Sequence, residues 1–80
     1  FVIYPNPSNG VFTLEINSKN NLNVSYIITN TTGQIILQKN YTIQQGKSAE
    51  TIDISQFSKG VYLLQINDGN SIRKVKLNKL

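Results

Sequence analysis

Short runs of alternating apolar and polar residues, each closed by Gly, Asn, Asp or Pro, constrain the fold of this chain more than any other feature. Such alternation suits extended strands, in which successive side chains point to opposite faces and every second one can enter a core. No stretch sustains the i, i+3, i+4, i+7 spacing of an amphipathic helix.

Seven runs follow one another. Phe1–Tyr4 stops at Pro5-Asn6-Pro7, where two prolines fix φ and remove two ladder donors, and Asn9-Gly10 permits a tight turn. Val11–Asn17 sets Phe12, Leu14 and Ile16 on one face. Leu22–Asn30 does the same with Leu22, Val24, Tyr26 and Ile28, while Ile27 on the polar side marks a bulge or an inter-sheet contact. Asn30-Thr31-Thr32-Gly33-Gln34 is a hairpin signal, with Gly33 able to take the left-handed conformation. Gln34–Ile43 points Ile35, Leu37, Tyr41 and Ile43 inward and ends at Gln44-Gln45-Gly46-Lys47; Ala49–Ile54 points Ile52 and Ile54 inward. Ser55–Gly60 reads as one turn that drops Phe57 into the core. Val61–Asn67 is apolar on both faces, as a central strand is. Asn67-Asp68-Gly69-Asn70 suits a type I′ turn, and Ser71–Lys79 carries Val75 and Leu77 on one face. The expected fold class is all-β, a seven-stranded immunoglobulin-like antiparallel β-sandwich, without the Cys pair or Trp of antibody domains.

Eighty residues make one domain, residues 1–80. A chain this short buries only roughly 60% of its unfolded surface, so nearly every backbone polar group has to be paired. Residue 1 lies inside an apolar segment that has no charged n-region, and the chain is read as a piece of a longer one. No apolar run approaches the roughly 20 residues of a membrane span.

The chain has no histidine and no cysteine. Ser-His-Asp catalysis, thiolate nucleophiles, disulfides and His- or Cys-ligated metals are therefore ruled out. Of the four acidic residues, Glu50 and Asp53 point to opposite faces of a strand, and Asp68 reads as a turn residue rather than a calcium ligand. Neither an enzyme nor a cofactor site is expected. The five glycines are isolated turn residues, without the clustering that cradles phosphate. The triplets Asn23-Val24-Ser25, Asn30-Thr31-Thr32 and Asn40-Tyr41-Thr42 fit chance matches in an Asn-rich chain.

Net charge is +4, and Arg73, Lys74, Lys76 and Lys79 place four of the eight basic residues in the last eight positions. Charges on an edge strand discourage edge-to-edge pairing; equally, they form a patch that a partner reads. No aromatic residue accompanies them, so no nucleic-acid partner is expected.

Three segments carry a family resemblance: Tyr4-Pro5-Asn6-Pro7-Ser8-Asn9-Gly10, Asn30-Thr31-Thr32-Gly33-Gln34, and Ser58-Lys59-Gly60-Val61-Tyr62 ahead of a Lys-rich last strand. Together, over essentially all eighty residues, they resemble the type A C-terminal sorting domain of the type IX secretion system. The resemblance implies a domain at the end of a large secreted protein of Bacteroidota, exported through the periplasm to the cell surface or extracellular space. It implies recognition by the outer-membrane translocon and removal from its N-terminal cargo by a sortase-like peptidase, at a bond before Phe1. Pro5, Asn6, Pro7 and Gly10 match the opening motif, Gly33 the central hairpin, and Gly60 and Tyr62 the late motif; the Pro and Gly positions are expected to shape turns. Lys74, Lys76, Lys79 and Leu80 in the last strand are expected to contact the translocon. The alternative is an accessory adhesion or carbohydrate-binding sandwich, although such modules present exposed aromatic platforms and this chain has no Trp. Pairing of two copies through an edge strand, and the isomer of either X-Pro bond, stay open.

Overall fold

A computed structural model describes residues 1–80 and contains seven strands and no helix. They are β1 (Val2–Tyr4), β2 (Val11–Ser18), β3 (Leu22–Thr29), β4 (Ile35–Ile43), β5 (Gly46–Asp53), β6 (Gly60–Asn67) and β7 (Ile72–Lys79). The strands form two antiparallel sheets, β1-β2-β5 and β4-β3-β6-β7, so β6 is internal in its sheet, although Val61 and Leu63 on its outer face stay exposed. Backbone ladders carry the fold: 35 of 42 backbone hydrogen bonds lie within strands, which is how so small a domain pairs its polar backbone.

The alternating residues meet between the sheets. Phe12, Leu14, Ile52 and Ile54 come from one side, and Val24, Tyr26, Ile28, Ile43, Tyr62, Leu64, Ile66 and Leu77 from the other. No buried side-chain polar atom lacks a partner. Tyr62 shows how this is done, its ring in the core and its hydroxyl donating to the carbonyl of Ser58.

Five sequence expectations need correction. Phe57 is 38% exposed. Its N–H closes a turn onto the Ile54 carbonyl (3.0 Å), Ile54 and Tyr62 fill the core here, and Phe57 stays on the rim beside the Asn30–Gln34 hairpin. Ile35 is 53% exposed, because the β3–β4 register shifts after Ile28↔Leu37 to Thr29↔Ile35. The extra residue, Ile36, packs against the core instead, so the bulge lies in β4 and not at Ile27. Gly46 and Lys47 do not merely end β4; they begin β5, pairing with Ser18 and Asn17. The β6–β7 turn is not type I′, which needs positive φ at both central residues, since of its residues only Gly69 (φ 93°) has it. The Asp68 carboxylate holds that loop instead, accepting from the N–H groups of Asn70 (2.9 Å) and Ser71 (2.8 Å). Both X-Pro bonds, Tyr4-Pro5 and Asn6-Pro7, are cis.

The two seams between the sheets are closed differently. Along one, Lys39 of β4 reaches Glu50 of β5 at 2.6 Å, beside an edge-to-face contact of Tyr26 and Tyr41 (centroids 6.1 Å apart). Along the other, the Arg73 guanidinium of β7 lies 5.4 Å from the Phe1 ring centroid, and the Pro5–Gly10 loop crosses from the three-stranded sheet to β7. Gly10 makes that crossing possible. Its φ is +124°, and a Cβ built there would stand 2.6 Å from the Ser55 Cα, while its carbonyl accepts from the Ile54 N–H at 2.7 Å. Gly10→Ala should therefore lower unfolding free energy by about 2–4 kcal/mol in urea denaturation. Gly33→Ala, at φ +87° but with no atom within 4 Å of the new Cβ, should cost only the left-handed backbone, about 1–2 kcal/mol.

Candidate functional site

The three segments that stood out in the sequence converge on one end of the sandwich. They surround the last residues of β7. On its inner edge β7 pairs with the late motif, in the register Gly60↔Lys79, Val61↔Asn78 and Tyr62↔Leu77. On its outer edge the opening motif lies alongside: the Asn6 Nδ2 donates to the Lys76 carbonyl (2.8 Å), and the Asn6 Oδ1 accepts from the Asn78 N–H (3.0 Å). Ser8 continues the contact through its backbone, donating to the Asn78 carbonyl (3.0 Å) and accepting from the Leu80 N–H (2.8 Å). The Asn30–Gln34 hairpin completes this end, since Asn30 and Thr31 share a surface hollow with Val61, Tyr62, Leu63 and Lys76.

Each segment has a local reason for its shape. Ser8 is buried, and its Oγ accepts from the Gly10 N–H (3.1 Å) while donating to the Val11 carbonyl (2.6 Å). Pro5 and Pro7 flank Asn6 in a loop that needs no ladder donor from either. In the hairpin, the Asn30 Oδ1 accepts from the Thr32 N–H (3.1 Å), the Thr32 hydroxyl (2.7 Å) and the Gln34 N–H (3.0 Å), and Gly33 takes φ 87°. Asn30 and Ser8 do this work without having been singled out in the sequence. The signal for Asn30 is an Asn two residues before a Thr that opens a turn; Ser8, one of many serines, has none.

The basic residues are split by the strand's alternation. Lys74 and Lys76 lie on the solvent face of the four-stranded sheet, level with Gln65 and Leu63 of β6. Arg73 and Lys79 lie on the opposite face, with Val75 and Leu77. Arg73 covers Phe1, and the Lys79 stem comes within 3.0 Å of the place a Gly10 Cβ would occupy. The ion pairs are Lys39–Glu50 and Lys47–Glu15 (3.7 Å), so neither Lys74 nor Lys76 has a carboxylate partner. They are the charged strand residues of their face, with exposed Val61 and Leu63 next to Lys76 and exposed Leu80 at the end of the chain.

A second hollow, lined by Asn23, Ser25, Asn40, Tyr41, Thr42 and Asn67, is polar and carries no charge. Its one aromatic residue, Tyr41, is packed on Tyr26 and offers no open platform. No helix is long and apolar enough to cross a membrane.

The titrating groups away from this end serve the framework. Burial, with the nearby Glu50 carboxylate and Tyr26, pushes the Tyr41 phenol up to about 12. Backbone N–H donors at Asn70 and Ser71 hold Asp68 below the usual carboxylate range, and the Ser55 hydroxyl and N–H do the same for Asp53. A lowered carboxylate pKa adds stability above the unfolded value, which is lost as pH falls through the folded one; a raised phenol pKa adds stability that is lost as pH rises through its folded value. Stability should thus fall on the acid side below about pH 4. On the alkaline side it should fall from pH 10.0 to about 12. Urea midpoints across pH test both limbs, and Asp68→Asn should flatten the acid one.

Residues 2–79 match the family model described as the secretion system C-terminal sorting domain. No curated protein sequence matches the chain. The match takes in the opening loop, the central hairpin, the late turn and the basic strand in one span, which is the set of segments the fold gathers around the end of β7. The chain belongs to the C-terminal sorting domain family of the type IX secretion system, a family of export signals that send a protein to the cell surface or extracellular space.

Proposed function

We propose that residues 1–80 act as a type A sorting domain with an immunoglobulin-like sandwich fold, read by the outer-membrane translocon through the solvent face and end of β7. The observation that carries this reading is the pair Lys74 and Lys76. They lie without carboxylate partners on a face whose other strand residues are neutral, beside exposed Val61 and Leu63. Uncompensated cations on a flat sheet face attract an anionic partner surface, and neighbouring apolar side chains add contact area once it has docked. Leu80 stands exposed at the same end, and Lys79 reaches it from the other side of the strand. A sortase-like peptidase then separates the domain from its cargo at a bond before Phe1. The domain itself supplies no catalytic group; it is the substrate of this handling.

Truncation is a poor test of the reading. Removing the last five residues takes away Leu77, which is wholly buried, at a cost comparable to a large-to-small core substitution of about 2–5 kcal/mol. Neutralising the exposed charges is cleaner. With the domain fused behind a reporter that carries a signal peptide, Lys74→Gln/Lys76→Gln should change stability by less than about 1 kcal/mol. Surface delivery in a host that has the system should fall several-fold, with reporter retained in the periplasm. Undiminished delivery by the doubly substituted domain refutes the reading.

A further inference from the structure

We infer that Asn6 is a positioning residue for the export signal: its carboxamide clips the outer edge of β7 and holds the last residues of the chain in the geometry the export machinery meets. The inference rests on the reading that this strand end is what is recognised.

β7 is an edge strand, and at alternate residues its N–H and C=O groups point away from β6. At Lys76, Asn78 and Leu80 these groups would face water, and a terminal strand paired on one side only frays. The opening loop prevents this over a short stretch. Two bonds come from the Asn6 side chain, at Lys76 and Asn78, and two from the Ser8 backbone, at Asn78 and Leu80. Ser8 and Lys79 form an isolated parallel bridge, so the loop adds a fragment of an eighth strand.

Only part of that fragment is backbone. Pro7 has no N–H, so the chain at this point cannot donate in the ladder, and the Asn6 carboxamide stands in for a peptide group by offering one donor and one acceptor. Asp has acceptors alone, and Ala has neither. The length of the side chain matters as well, because both atoms meet their partners at 2.8 and 3.0 Å while Ser8 is held in place by its own buried hydroxyl. Gly10 removes the last obstacle, leaving room for the Lys79 stem.

The clip joins residues 70 and 72 positions apart. The outer edge of the strand end is therefore satisfied only when the opening loop has docked. Half of that dependence belongs to one side chain, that of Asn6, and half to the Ser8 backbone, while the Pro and Gly residues of the motif shape the loop.

The test uses the full cargo-bearing protein. Asn6→Ala should speed amide exchange across Lys76–Leu80 by about tenfold, as expected for losing hydrogen bonds at a strand end, while β3 keeps its protection. Surface delivery should fall with it. Asn6→Asp keeps the acceptor for the Asn78 N–H but sets a carboxylate oxygen against the Lys76 carbonyl, so it should also speed exchange at the strand end and lower delivery. It also carries the test if the Ala variant exposes β3. Unchanged exchange at Lys76–Leu80, or wild-type delivery from a domain whose end has loosened, overturns the inference. Lys74→Gln/Lys76→Gln separates this from the recognition reading. That variant should keep slow exchange at the strand end, and normal export by it defeats recognition through the charged face, whereas normal exchange in the Asn6 variants defeats the clip.

Discussion

Two sheets of three and four strands can hide a layer of apolar side chains only if the seams between them are shut. In eighty residues there is little material for this, because the strands themselves are committed to the ladders. One seam is closed by side chains alone, Lys39 on Glu50 with Tyr41 packed behind. The other is closed by chain, with the Pro5–Gly10 loop leaving the three-stranded sheet, pairing with β7 of the four-stranded one, and returning into β2. The bare α-carbon of Gly10 against Ser55 and the buried hydroxyl of Ser8 hold that loop close enough for the pairing to form.

Closing the seam this way has a consequence for the surface. The outer edge of β7 is satisfied at its end by the loop and at its start left to solvent, while its solvent face keeps Lys74 and Lys76 with no counter-charge. The acidic side chains are used elsewhere: Glu50 and Glu15 in ion pairs, Asp53 and Asp68 in turns. Electrostatic imbalance on one face is thus a product of how the framework spends its four carboxylates. It suits a domain that functions by being recognised, and the family's role as an export signal needs no assembled reactive site.

Much of the fold was legible from periodicity. Strand positions and most inward faces follow from the two-residue alternation, because burial on one face fixes which parity is apolar. Phe57 and Ile35 escaped that logic for different reasons. Phe57 sits in a turn, where no periodicity says whether an apolar side chain faces in or out. Ile35 precedes a bulge, and one extra residue reverses the parity of the strand beyond it. The Asp68 turn departs from the type I′ expectation because Asp-Gly serves more than one loop geometry, and here the Asp68 carboxylate accepts from the backbone N–H groups of Asn70 and Ser71.

The sequence by itself determined the all-β class, most turn positions, the absence of the residue types that thiol or imidazole chemistry needs, and the motifs that mark an export signal. These are properties of neighbours along the chain, set by local geometry and by composition. Only the tertiary structure decided that the opening and late motifs border the same strand end, and that Asn6 rather than the prolines makes the contact. Those facts depend on which strands lie side by side and on a register between residues some seventy positions apart, and neither quantity is written in any local stretch of sequence.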